Sequence, residues 1–141
     1  MRMAIIALAA TAAAAVGTVA IAAKPDANLP PAPPSGAALP KGQCFRTHDI
    51  RNHTVVDGRT LLINVNQRDV YRLTMRGSCL AGAISTDPII TREPPGTQIV
   101  CRPIDLDLGI AKSGFETRCI IDSIDKLGPQ QLAAVPKKLR P

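Results

Sequence analysis

Residues 50–76 read IRNHTVVDGRTLLINVNQRDVYRLTMR, and their alternation decides the fold class. Ile50–Val56 and Arg59–Val65 flank Asp57-Gly58, a dipeptide with ready access to positive φ, which predicts a hairpin. A second turn at Asn66, Gln67 and Arg68 leads into a third strand, where Tyr71, Leu73 and Met75 share one face and Arg72, Thr74 and Arg76 the other. Leu61, Ile63 and Val65 alternate in the same way with Asn64 and Asn66. The expectation is a three-stranded antiparallel meander with one apolar face and one polar, arginine-bearing face.

Downstream, Thr97–Arg102 and Phe115–Ile124 predict two further strands. Between them PIDLDLGIAKSG (103–114) reads as a wandering loop or a bulged edge, because its proline and glycines interrupt the alternation. Pro129–Val135 predicts one helical turn, which Pro136 prevents from extending. The fold class expected is mainly β: a small antiparallel meander closing into a sandwich or open barrel, with two disulfides and a short C-terminal helical turn.

Upstream, residues 1–23 read MRMAIIALAATAAAAVGTVAIAA, with one cation at Arg2, an uncharged apolar run, and Ala20 and Ala22 in an A-x-A arrangement. This predicts a secretory signal at 1–22, cut after Ala22. The segment is long enough to span a bilayer, but alanine is only weakly hydrophobic, which argues against an uncleaved anchor. Lys41, Gly42 and Gln43 precede Cys44 where a lipobox would place apolar and small residues, which argues against a lipid anchor there. Residues 23–43, with prolines at 25, 30, 31, 33, 34 and 40, are expected to be a semi-stiff linker. The domain then runs from 44 to 128 and a tail from 129 to 141.

Export places the four cysteines, at 44, 79, 101 and 119, in an oxidising compartment, periplasmic or extracellular, where an even count predicts disulfides. No pair has the close C-x2-4-C spacing of a zinc site. Of the three connectivities, Cys79–Cys101 with Cys44–Cys119 is preferred: the first closes a local excursion, the second ties the opening strand to the last. The formal charge is +6, from 17 basic and 11 acidic residues, and loss of Arg2 with the signal leaves 16 against 11, or +5. One Tyr, two Phe and no Trp provide no stacking platform for bases, so nucleic acid is not an expected partner.

Arginines are the most distinctive chemical population. Arg46, Arg72, Arg76 and Arg102 are the candidates for contact with anionic ligands, through forked hydrogen bonds to sulfate, phosphate or uronic-acid groups. A plainer reading pairs such arginines with Asp49, Asp57, Asp69 and Asp122. His48, His53 and Asp57 form a second candidate set, for metal binding or acid–base work, but the odd spacing sends the two rings to opposite faces of an extended strand. Asp105 and Asp107 would project on one side of an extended segment, without the remainder of a calcium loop. There is no Gly-rich phosphate loop and no G-x-S-x-G or S-x-x-K serine, and no cofactor is expected.

The succession CFRTHDI (44–50), VVDGRTLLI (55–63), DVYRLTMRGSC (69–79), IVCRPID (99–105) and TRCIIDSIDKL (117–127) resembles a family of small exported proteobacterial proteins built on a four-cysteine domain of unknown function. The resemblance implies an envelope location and one compact domain, and carries no activity. The expected function is that of an exported binding or structural protein, periplasmic or secreted, contacting anionic ligands through an arginine-bearing sheet face. Its partner would be an anionic envelope polymer or another envelope protein, with membrane contact only through an uncleaved signal. A small metal-dependent or hydrolytic envelope enzyme is the alternative from another class, and an assembly accessory acting through an exposed sheet edge is a third.

Overall fold

The computed structural model describes residues 29–93 and 98–141; the expected signal at 1–22 and the first residue of the expected strand at Thr97 lie outside them. The strands are β1 (Phe45–Arg46), β2 (Ile50–Val55), β3 (Thr60–Val65), β4 (Asp69–Met75), β5 (Ile89–Arg92), β6 (Ile99–Val100), β7 (Asp107–Lys112), β8 (Phe115–Cys119) and β9 (Ile121–Lys126). A helix, α1 (Pro129–Ala134), follows, and short 3-10 turns occupy Thr47–Asp49, Pro103–Asp105 and Lys137–Leu139.

The meander forms as its alternation requires. β2, β3 and β4 pair antiparallel, and β9 adds to β4, giving a four-stranded sheet ordered β2-β3-β4-β9. At Asp57-Gly58 the turn does not use positive φ. Instead the Asp57 carboxylate accepts the Arg59 amide at 2.7 Å, and the Val56 amide donates to Thr60 O at 3.0 Å. The left-handed residues are at the next turn, Asn66 (φ 54°) and Gln67 (φ 59°). Their handedness matches the strand twist.

A second, three-stranded sheet is ordered β5-β7-β8. The expected wandering loop is therefore a central strand: β7 pairs with β5 on one side and β8 on the other, and Ser113-Gly114, both at positive φ, reverse it into β8. At Gly109 the Glu116 side chain lies close over the backbone, so that a Cβ there would lie 2.5 Å from Glu116 Oε1 and the carboxylate would have to shift. Glu116 crosses β7 at that point to form a forked ion pair with Arg92.

The segment expected as one strand, Phe115–Ile124, is two. The chain leaves the small sheet at Cys119 and enters the large one at Ile121, turning at Ile120, whose carbonyl accepts the Arg76 amide at 2.8 Å. Leu61, Ile63, Leu73 and Met75 of the large sheet, Leu108 and Ile110 of the small one, and Phe45 and Val100 of the β1-β6 pair fill one shared core. Among the described residues the architecture is thus mainly β and antiparallel, with no closed barrel.

The other face of the large sheet is not the exposed polar face expected. Leu62 and Val70 lie on it and pack with Leu127 and Val135 in a second cluster that also draws in Leu29, Leu132 and Leu139. The described part of the expected linker, residues 29–43, is a strap lying on the domain: Leu39 is buried and its amide donates to Cys101 O at 2.7 Å, while Gln43 O accepts the Tyr71 hydroxyl at 2.8 Å. Proline removes amide donors but leaves carbonyls free to accept, so a Pro-rich chain can dock wherever the domain supplies donors.

The disulfides differ from the expected pairing: they are Cys44–Cys101 and Cys79–Cys119. Register explains the exchange. Phe45 sits opposite Val100 in the β1-β6 pair, so Cys44 and Cys101 are the next residues along the same ladder, with Cα atoms 4.6 Å apart. Met75 sits opposite Ile121, so the chain leaving β4 brings Cys79 to the corner at Cys119.

Candidate functional site

The four candidate arginines have four different fates. Arg72 is 4% exposed. Its Nε and Nη2 donate to the two Asp125 carboxylate oxygens at 2.8 and 2.9 Å, Nη2 also reaches Pro31 O at 3.2 Å, and Nη1 donates to Pro30 O. A guanidinium used in this way clamps the strap and is not open to a ligand. Arg46 is exposed opposite Ile99 and lines a separate depression with Asp49, Asn66 and Asp69.

Arg76 and Arg102 come together. They line one groove of about 530 Å³ with Gly36 of the strap, Ile104, Leu106 and the β8–β9 corner at Ile120. Each wall has a local cause. Arg76 follows β4, and there Ser35 Oγ accepts from its Nη2 at 3.2 Å and donates to Asp122 Oδ1 at 2.7 Å. The Gly36 amide bonds Asp122 O at 2.8 Å, so the strap closes that side. On the opposite wall the Asp105 carboxylate accepts the Cys101 and Arg102 amides at 3.2 and 2.8 Å and the Arg102 guanidinium at 3.1 Å. Asp105 is therefore the cap of a 3-10 turn, and it does not share an extended face with Asp107.

The Asp105 and Asp122 carboxyls are shifted in the same direction. Partial burial pushes the Asp105 carboxyl up, but hydrogen bonds from the Arg102 side chain and from the Cys101 and Arg102 amides outweigh it and hold it below the usual range. Asp122 is lowered first by the Ser35 hydroxyl and then, against a desolvation cost, by Arg76. Arg118, on β8, faces Asp107 at 3.8 Å.

In all three pairs the arginine lies outside its carboxylate. Side-chain exposure is 67% for Arg76 against 26% for Asp122, 59% for Arg102 against 12% for Asp105, and 69% for Arg118 against 38% for Asp107. An approaching ligand meets guanidinium first. Exposed pairs of this kind contribute only about 0–1 kcal/mol, so the arginines can turn to a ligand at little cost. Between them Ile104 and Ile120 project into solvent, 76% and 65% exposed.

The second candidate set is not assembled. His53 Nε2 is 2.9 Å from Asp87 O, His48 lies beside Asp49 at 3.7 Å, and Asp57 is spent on the hairpin turn. Among the described residues no group of three His, Cys, Asp or Glu is placed to hold a metal. Sequence reasoning did not find Ile104, Ile120 or Ser35 as site residues. An isoleucine in an alternating strand pattern signals core, and only the break at Ile120 turns that side chain outward.

The sequence profile of a family described as being of unknown function, DUF6491, matches residues 1–141. The chain belongs to the DUF6491 family. Comparisons with curated proteins and with solved structures give no match. The two disulfides of this DUF6491 chain suggest an oxidising, extracytoplasmic environment.

Proposed function

We propose that this protein is an exported, non-catalytic binding protein, periplasmic or secreted, that holds anionic groups through the groove lined by Arg76 and Arg102, with Arg118 beside it. The observation that supports the reading is that Arg76 and Arg102 line one groove and each is more exposed than the carboxylate it pairs with, as is Arg118, which reaches the groove-lining Asp107 from β8. Guanidinium groups held this way present unused N–H donors to sulfate, phosphate or carboxylate. The signal-like N-terminus and the positive formal charge are consistent with export and with an anionic envelope polymer as partner.

The test is the salt concentration that elutes the folded protein from immobilised heparin. The R76E/R102E variant should elute much earlier than wild type. A charge-matched variant at exposed positions outside the groove, R46E/R51E, should elute close to wild type. Equal losses from the two variants would show that net charge alone drives retention and would overturn the site.

A further inference from the structure

The groove combines two features that a small anion or a sulfated polymer does not need together. Its guanidiniums suit an anionic group, but Ile104 and Ile120 add two large, exposed apolar side chains to the same lining. Exposed isoleucines occurring singly are ordinary; two that share a groove rimmed by arginines are not explained by chance exposure. Resting on the anion-binding reading, we infer that the groove rim docks on an anionic phospholipid surface, with Ile104 and Ile120 entering the boundary between headgroups and acyl chains and the arginines meeting lipid phosphates.

Charge complementarity favours this occupant. Arg76 and Arg102 line the groove with Asp107 and Asp122, and Arg118 pairs with Asp107 from β8, so three guanidiniums stand at or beside this face, each more exposed than its carboxylate partner. The carboxylates are the deeper members of the three pairs, so the outermost layer is cationic and apolar, the composition of an interfacial anchor. Both isoleucines sit on rigid supports. Cys101, in disulfide with Cys44, precedes the turn that carries Ile104, and Cys119, in disulfide with Cys79, precedes Ile120. The contact would be independent of residues 1–22.

The chain contains no Trp, so a substitution introduces a sole indole reporter. Ile104→Trp and Ile120→Trp should each shift to the blue with phosphatidylglycerol vesicles, be quenched by brominated acyl chains, and show neither effect with phosphatidylcholine. Phe115→Trp, 79% exposed at the far end of β8, should stay wet in both. Adding R76Q/R102Q to the Ile120→Trp chain should weaken the response about thirtyfold, at roughly fivefold per arginine removed near an anionic surface. Wet indoles at 104 and 120 with phosphatidylglycerol overturn membrane docking. If heparin retention still depends on Arg76 and Arg102, the anion-binding reading survives that result, and an acidic protein surface becomes the occupant to pursue. Loss of both overturns both.

Discussion

Arg72 shows how a residue's role follows from what covers it. Alternation places it on the same strand face as Thr74, opposite Tyr71 and Leu73, and the pairing of β3 with β4 keeps that parity. What the alternation does not encode is the strap that lies over the face, because proline-rich sequence carries no period to read. Under that cover the forked bond to Asp125 is largely shielded from solvent, and removing the carboxylate charge leaves the Arg72 cation with only the Pro30 and Pro31 carbonyls of the strap as partners. Asp125→Asn should cost about 3 kcal/mol in urea unfolding, and the strap should lose protection in hydrogen exchange. The surface carboxylates behave differently. Asp105 and Asp122 have carboxyls held below the usual 3.8, so each favours the native state above the unfolded-state pKa and loses that contribution as pH falls through the native value. An acid titration of the midpoint should therefore show wild type losing stability below about pH 4, with Asp122→Asn flattening part of the slope.

At the scale of elements, the legible parts were those with local signals. Alternation and turn dipeptides give β2, β3 and β4, and Pro129 and Pro136 bracket α1. β7 was hidden because Pro103 and Gly109 read as breakers, although Pro103 opens a capped 3-10 turn and Gly109 sits within the strand, paired with Ile90 and Arg118. The break at Ile120 was hidden because FETRCIIDSI keeps an unbroken strand-like pattern across two sheets. Cysteine pairing depends on which strands are neighbours, and the β1-β6 pair that sets Cys44 against Cys101 is only two residues long. Both disulfides brace the groove, so each has a testable local effect. Loop-closure entropy alone gives about 4.2 kcal/mol for the 57-residue separation and about 3.9 kcal/mol for the 40-residue one, as upper figures. C44S/C101S should lower stability by about 2–4 kcal/mol and speed exchange of the Leu39 amide, which bonds Cys101 O; C79S/C119S should destabilise to a similar degree without that selective change at Leu39.

At the scale of the whole molecule, three layers share the work. The strap and C-terminal segment cover one face of the large sheet, the small sheet shares the core on its other face, and the groove opens where strap, 3-10 turn and β8–β9 corner meet. Two of the four arginines foreseen from sequence line it, and Arg118, from the strand that precedes the corner, faces the groove-lining Asp107. Amide resonances followed while a short sulfated oligosaccharide is titrated into the oxidised protein test the central claim most directly. The account predicts that the largest shifts cluster at Ser35, Gly36, Arg76, Arg102, Ile104 and 118–122, and weaken as salt rises. Shifts centred on Arg46 and Arg51, or spread evenly over the basic surface, would contradict it.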